Sequence, residues 1–207
     1  MSQLALFDRA IRTLVDDASG TIRYHPAAVD HATAQAWFAT LRDGVAWKSE
    51  RRIMYEREVD VPRLLASFRL AELRAAQPPV AHTPMHEVLR AAADCVEPIA
   101  GARFDSVGLN FYRDGRDSVA PHNDHLDELA PGAPIALLSL GSTRRMTIRA
   151  KHKPPRVLHH ELEPGSVLTM SYETQLHYDH GIPKAEAVGP RISLAFRVRP
   201  QHGTARY

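Results

Sequence analysis

The sequence predicts an α+β fold in which short strands form a sandwich or jelly roll and helices pack on one outer face. Two segments before residue 104 carry apolar residues at helical spacing. From residue 104 onward, apolar and polar residues alternate, which is typical of strands with one buried face. Turn signals such as Asp114-Gly115 and Pro164-Gly165 separate these runs, so many short strands are expected.

The first predicted helix covers residues 30–42. Trp37, Phe38 and Leu41 lie at helical spacing, and Asp30 precedes them as a possible N-cap. We expect both Trp37 and Trp47 to belong to the core.

The second predicted helix begins at Thr83, because Thr is a favoured N-cap and Pro84 suits the first helical position. Pro98 and Gly101 are expected to end it. The segment from Trp47 to Leu65 is expected to be extended.

The second half of the chain contains the predicted strands, which share a period of two and end at turn signals. They cover residues 106–113, 134–141, 144–150, 156–162, 166–172 and 190–198.

Length and composition favour one domain over residues 1–207, because 44% hydrophobic residues suffice for a core. Residues 104–200 are expected to form its strand-rich core. The single cysteine, Cys95, rules out an internal disulfide and a cysteine-rich zinc site. No apolar run is long enough to span a membrane and no cleavable signal pattern is present, so a cytoplasmic location is expected. The net charge of +2 neither requires nor excludes a polyanionic partner.

The stretch "PHNDHLDE", residues 121–128, contains two His-x-Asp pairs: His122 with Asp124, and His125 with Asp127. Residues two apart on an extended chain point to the same side, so one imidazole and one carboxylate can bind the same metal ion. A second imidazole from a distant strand would complete the two-histidine, one-carboxylate set of non-heme iron oxygenases. The alternative is that these side chains are solvated in turns.

Two predicted strands have one apolar and one polar side. In "RISLAFRVRP", Arg191, Ser193 and Arg197 share the side opposite to the apolar residues, and in "VGLNFYRDG" so do Asn110 and Tyr112. If this polar side lines a pocket, its arginines need an anionic partner such as a small dicarboxylate. The alternative is that they face solvent.

Four blocks of sequence resemble the AlkB family of Fe(II)- and 2-oxoglutarate-dependent dioxygenases. They are "NFYRDGRDSVAPHND", "PGAPIALLSLG", "HGIP" and "RISLAFR", and they occur in the family's order between Phe104 and Arg197. The first block resembles the family's Asn-x-Tyr-x-x-Gly and His-x-Asp, and the last resembles its Arg-x-Asn-Leu-x-Phe-Arg, with Ser193 in place of the asparagine. The resemblance implies a double-stranded β-helix, with a substrate-recognition segment within residues 1–103.

By this resemblance, the iron ligands are His122, Asp124 and His180. Arg191 would bind the distal carboxylate of 2-oxoglutarate. Asn110, Tyr112 and Arg197 would surround the metal-chelating end of the co-substrate. Ser193 is a further co-substrate candidate, at the position where the family usually has an asparagine.

The resemblance also implies the activity, which is oxidative demethylation of N-alkylated bases with O2, releasing formaldehyde, succinate and CO2. The expected partner is alkylated DNA or RNA, single-stranded at least as readily as duplex, and no obligatory protein partner is expected. Residues 144–156, "RRMTIRAKHKPPR", are rich in cations and are expected to contact phosphates. The alternative is that they form a solubilising edge hairpin. The predicted nucleic-acid-binding residues are Arg51, Arg52, Tyr55, Arg144, Arg145, Arg149, Lys151 and Lys153.

The sequence departs from the DNA-repair members of the family just after the His-x-Asp motif. Those members have an acidic residue there that recognises the base, whereas this chain has His125 and Leu126. Asp127 or Glu128 is the candidate replacement. Two alternatives therefore stay open: the same cofactor chemistry on a protein or small molecule, and a catalytically silent nucleic-acid-binding module.

Overall fold

The protein is built from two β-sheets and a layer of helices. The computed structural model describes residues 10–54, 57–75 and 83–200. The strands are β1 (Arg12–Asp17), β2 (Gly20–His25), β3 (Lys48–Met54), β4 (Arg57–Arg69), β5 (Ser106–Tyr112), β6 (Val119–His122), β7 (Ile135–Gly141), β8 (Arg144–Ala150), β9 (Val157–Leu162), β10 (Val167–Met170), β11 (Tyr178–Ile182) and β12 (Arg191–Arg197). The helices are α1 (His31–Gly44), α2 (Leu70–Ala75), α3 (Pro84–Ala100) and α4 (Thr174–His177).

The strands form a major sheet of eight, in the order β1-β2-β10-β7-β12-β5-β4-β3, and a minor sheet of four, in the order β6-β11-β8-β9. All pairings are antiparallel among the described strands. Helices α1 and α3 pack against the outer face of the major sheet. The jelly roll with helices on one outer face is therefore confirmed.

Both long helices begin where the sequence predicts. The Asp30 side chain accepts a hydrogen bond from the Thr33 backbone N–H at 3.0 Å, and Thr83 caps α3 in the same way. Pro98 does not end α3, which continues to Ala100. A proline in the last turn removes only one backbone hydrogen bond, whereas Gly101 adopts the left-handed conformation that ends the helix. Among the described residues, no helix has the length and apolarity needed to cross a membrane.

The six predicted strands correspond to β5, β7, β8, β9, β10 and β12, with ends that differ by at most two residues. The extended segment from Trp47 to Leu65 is also confirmed, as β3 and most of β4. The hairpin of β1 and β2 was not predicted, although Val15, Ile22 and Tyr24 are buried there. The major sheet thus extends well upstream of residue 104, because β2 pairs with β10 and β4 pairs with β5.

Strand β12 separates the two hydrophobic cores of the molecule. Ile192, Leu194 and Phe196 pack on the helix side, together with Leu41 of α1 and Leu89 of α3. The opposite side of β12 faces the space between the two sheets. This is the polar side that the alternation of the sequence predicted.

Two glycines with similar backbone angles provide a matched test of this packing. Gly165 (φ +76) lies in the β9–β10 turn, where an added Cβ would lie 2.2 Å from the carbonyl oxygen of Val29, ahead of α1. Gly132 (φ +75) has open space around it. We expect Gly132→Ala to lower the free energy of unfolding by about 1 kcal/mol, from backbone strain alone. Gly165→Ala should lower it by about 3 kcal/mol or more, because the clash adds to that strain. Urea denaturation measures both values, and equal losses would contradict the role of the Val29 contact.

Candidate active site

The pairing of β6 with β11 brings the predicted metal ligands together. His180 on β11 lies directly opposite His122 on β6, and their ring centroids are 4.6 Å apart. Asp124 follows β6, so its carboxylate reaches the same point. One potential ligand atom from each of the three residues lies within 4.8 Å of the others. Two imidazoles and one carboxylate form the donor set that suits Fe(II) and leaves other coordination positions open.

Hydrogen bonds to Ala120 of the same strand and to Gln175 of α4 orient two of these ligands. His122 Nδ1 lies 2.9 Å from the carbonyl oxygen of Ala120, which leaves Nε2 for a metal. The Asp124 backbone N–H donates to Gln175 Oε1 at 3.0 Å. Gln175 belongs to α4 and is 1% exposed. Sequence reasoning missed it, because a glutamine outside any motif carries no signal of such a contact.

The charges around the triad favour the metal-binding protonation states. Burial acts to raise the pKa of Asp124, but Arg197, whose Nε donates to Asp124 Oδ2 at 2.7 Å, outweighs it, and the net pKa is lowered. Burial lowers the pKa of His180 to about 4, and His122 adds to this effect. At neutral pH, Asp124 is therefore ionised and His180 neutral, as metal binding requires.

The triad lies in the wall of a cavity of about 930 Å³ between the two sheets. Several residues that share the polar side of β5 and β12 also line it: Asn110, Tyr112, Arg191, Ser193 and Arg197. The predicted pocket is thus present, and its apolar wall includes Leu137 and Met146.

Arg191 provides the clearest sign of an anionic ligand. Its side chain is 1% exposed, and its Nη2 donates to Ser139 Oγ at 2.8 Å. Its Nε and Nη1 are buried and have no hydrogen-bond partner among the described residues. Burial lowers the pKa of Arg191 to about 10. A buried guanidinium with two unused donors in a cavity wall fits a carboxylate, such as the distal carboxylate of 2-oxoglutarate.

The remaining co-substrate candidates divide between two ends of the cavity. Arg197 contacts Asp124 and so belongs to the metal end. Tyr112 lies beside Arg191, whose Cζ is 5.3 Å from the ring centroid. Cross-strand pairing explains this, because Tyr112 is the direct neighbour of Arg191, and Asn110 the direct neighbour of Ser193. The Asn110 side chain accepts a hydrogen bond from Arg63 Nε at 2.7 Å.

Sequence reasoning also missed Ser139 and Arg63. Ser139 is a polar residue within the apolar strand β7, at a position that alternation assigns to the inner face, so a signal was available. Arg63 follows Pro62 on β4 without a distinguishing pattern.

Arg144 was predicted to bind nucleic acid, and that prediction is wrong. The side chain is 1% exposed and donates to the carbonyl oxygens of Asp114, Asp117 and Pro183. Alternation along β8 is the physical reason, because Arg144, Met146, Ile148 and Ala150 all point inward.

The other cations of this hairpin are exposed, but three of them interact with acidic side chains. Arg145 Nε donates to Glu161 at 2.7 Å, and Arg149 Nη2 donates to Asp179 at 3.0 Å. Lys151 Nζ lies 3.6 Å from Asp179. Lys151 also donates to the Asn123 side chain at 2.9 Å, between two metal-ligand candidates. Lys153 lies in the exposed turn.

Three further predicted nucleic-acid contacts are Arg51, Arg52 and Tyr55. Arg51 and Arg52 are part of β3. Their side chains, and all of Tyr55, lie outside the described residues.

The candidates for base recognition lie in a short 3-10 turn, Leu126–Glu128, after the metal-binding segment. His125 and Glu128 line the cavity. Glu128 also forms an ion pair with Arg199 at 2.6 Å. Asp127 is exposed.

The metal assignment makes a direct prediction. His180→Ala should abolish the weak visible absorption band that Fe(II) and 2-oxoglutarate give in the absence of O2, because one of three protein ligands is lost. His177→Ala is the matched control, since His177 is exposed on α4 and three residues away. Anaerobic absorption spectroscopy measures the band, and a full band in the His180 variant would contradict the assignment.

Comparisons with known proteins agree with this geometry. The family model of the 2OG-Fe(II) oxygenase superfamily matches residues 21–197. The human DNA oxidative demethylase ALKBH2 is 37% identical, over 55% of this chain and 47% of that protein. The human alpha-ketoglutarate-dependent dioxygenase alkB homolog 3 is 32% identical, over 84% of this chain and 64% of its own length. The chain therefore spans about half to two thirds of these relatives.

A solved structure, that of OsALKBH1, matches 91% of this chain and all of that chain with a TM-score of 0.57 and 15% sequence identity. At this identity the match shows the shared fold. Taken with the superfamily match over residues 21–197, these similarities show that the chain belongs to the AlkB family of the 2OG-Fe(II) oxygenase superfamily, whose cofactors are Fe(II), 2-oxoglutarate and O2.

Proposed function

We propose that this protein oxidatively demethylates N-alkylated bases in nucleic acid, with Fe(II) held by His122, Asp124 and His180. The observation that carries the proposal is the complete His-Asp-His triad in the wall of a cavity, in a chain similar to a DNA oxidative demethylase. When bound, Fe(II) and 2-oxoglutarate use O2 to oxidise the N-methyl carbon, and formaldehyde, succinate and CO2 are released.

The protein's own residues position the reactants and limit access to water. Arg191 would bind the distal carboxylate of 2-oxoglutarate through its two unused donors. Arg197 holds the carboxylate of Asp124 at the metal end, and Gln175 holds its backbone. The apolar wall beyond the triad keeps water from the reacting atoms.

The substrate base would be bound by His125 and Glu128, which line the cavity where the family's DNA-repair members have an acidic residue. A base must leave its stack to reach a buried metal, and polar groups at the cavity then hydrogen-bond its edge. A single-stranded substrate avoids the cost of unpairing, so we propose that single-stranded nucleic acid is at least as good a substrate as duplex.

The exposed side of the β8–β9 hairpin would contact phosphates. Lys151 supports this role, because its hydrogen bond to Asn123 places a cation beside the metal-binding segment. Arg149 and Lys151 both interact with Asp179. Asp179 directly precedes the metal-ligand candidate His180 in the chain.

A second candidate is the same oxidation on a protein side chain or a small molecule. The acidic partners of the hairpin favour it, because Glu161 and Asp179 already neutralise Arg145 and Arg149. A phosphate would have to displace these partners.

The first test is product formation on methylated oligonucleotides. Incubation with Fe(II), 2-oxoglutarate and O2 should release formaldehyde and succinate in equal amounts and lower the oligonucleotide mass by about 14 Da per methyl group. The panel should contain single- and double-stranded DNA and RNA, with unmethylated strands and the His180→Ala variant as controls. Succinate without formaldehyde or mass loss would favour the second candidate.

The hairpin proposal predicts the salt dependence of binding. Arg149→Gln should weaken oligonucleotide binding and lower the slope of log affinity against log salt by about 0.7–0.9, because one phosphate contact is lost. Arg116→Gln is the matched control, since Arg116 is also an exposed, ion-paired arginine but lies on the β5–β6 loop, outside the hairpin, and its loss should leave the slope unchanged. Fluorescence anisotropy between about 50 and 200 mM salt measures both slopes. Equal slopes for wild type and Arg149→Gln would contradict the contact.

A further inference from the structure

Arg144 is a buried cation that the proposed mechanism does not use. It is the first residue of β8, and its side chain is 1% exposed. Its Nη1 donates to the Asp114 carbonyl oxygen at 3.1 Å, and its Nη2 donates to the carbonyl oxygens of Asp117 and Pro183 at 2.9 and 2.7 Å. These acceptors lie on the β5–β6 and β11–β12 loops. Arg144 therefore joins two loops that flank the cavity.

Carbonyl groups orient this cation, and the carboxylates of Asp117 and Asp114 offset part of its charge without forming an ion pair with it. The acidic side chains on the same loop already have their own partners: Arg116 donates to Asp114 at 2.8 Å, and Arg113 donates to Asp117 at 2.8 Å. The Nε of Arg144 is buried and has no hydrogen-bond partner among the described residues. A buried charge in this condition favours an additional anion nearby.

A second buried cation, Arg191, contacts the same aromatic ring as Arg144, that of Tyr112. The Cζ atoms of Arg144 and Arg191 lie 5.5 and 5.3 Å from the centroid of the Tyr112 ring. Burial lowers the pKa of Arg191, and the positive charge of Arg144 lowers it further. Their mutual repulsion is relieved when an anion binds at Arg191.

We propose that Arg144 is a positioning residue for 2-oxoglutarate, which supports Arg191 through Tyr112 and makes this end of the cavity selective for a dicarboxylate. Arg144 does not line the cavity, so it acts through its charge and through the Tyr112 ring that both guanidinium groups contact. This inference concerns the co-substrate and does not depend on the substrate that is demethylated.

A purely structural role for Arg144 makes a different prediction. Loss of the three carbonyl hydrogen bonds would loosen both loops and weaken the binding of every 2-oxo acid to the same extent. Loss of the charge would weaken the binding of only those 2-oxo acids that carry a distal carboxylate. The ratio of affinities for 2-oxoglutarate and 2-oxobutyrate, which lacks that carboxylate, separates the two roles.

The experiment is an anaerobic titration of the Fe(II)-loaded full chain with each 2-oxo acid, followed by the visible band and without nucleic acid. Arg144→Gln removes the charge but keeps one amide donor. We expect about tenfold weaker binding of 2-oxoglutarate, since a unit charge about 11 Å from the distal carboxylate, at an effective dielectric constant of about 20, has that effect. Binding of 2-oxobutyrate should change less than about twofold.

Two further variants complete the experiment. Arg144→Lys keeps a positive charge and should retain most of the preference for the dicarboxylate. Arg42→Gln is the matched control, because it removes an exposed, ion-paired arginine from α1 that does not line the cavity, and it should leave both affinities unchanged.

The proposal is overturned if Arg144→Gln keeps the wild-type preference for 2-oxoglutarate over 2-oxobutyrate, or if it weakens the binding of both acids equally. It is also overturned if Arg144→Lys loses as much of this preference as Arg144→Gln. Thermal unfolding is recorded for each variant. If neither variant unfolds cooperatively, Arg144 is required for folding and the positioning role is rejected. Because no nucleic acid is present, these outcomes are separate from a failure of the proposed demethylation.

Discussion

The antiparallel pairing of β6 with β11 is the constraint on which the site depends. It places His122 and His180 directly opposite each other, from positions 58 residues apart in the chain. Neighbouring strands lie about 4.8 Å apart, which is the separation that allows two imidazoles to bind one metal ion. A shift of one residue in this register would turn one imidazole to the other face of the sheet. Asp124, Gln175 and Arg197 then complete the arrangement around the pair.

Charge is distributed unevenly along the cavity. At the metal end, the positive charge of Arg197 is matched by Asp124. Away from Asp124, Arg191 in the cavity wall and Arg144 behind it both lie against the Tyr112 ring, and neither forms an ion pair among the described residues. Such an arrangement costs free energy in the protein alone and favours the binding of a small dicarboxylate.

The β8–β9 hairpin shows how strand alternation changes the meaning of a basic sequence. The cations between residues 144 and 156 look equivalent as a charge cluster. In the structure, Arg144 points inward with Met146 and Ile148, whereas Arg145 and Arg149 point outward. The apolar residues at every second position carried this signal, because they share the face of Arg144. No local pattern indicated that Glu161 and Asp179 would be the acidic partners of Arg145 and Arg149, because they come from other strands.

The sequence by itself determined the helix starts at Asp30 and Thr83, the central strands within about two residues and the polar side of β12, because caps and alternation are local properties. The candidate metal and co-substrate residues also came from the sequence, through their motifs. Only the tertiary structure decided the contacts of Tyr112, Gln175 and Arg144, and it alone joined β1 and β2 to the major sheet. These features depend on cross-strand register and on contacts between loops that are distant in the chain. No local pattern encodes such contacts, because they exist only when both sheets have closed around the cavity.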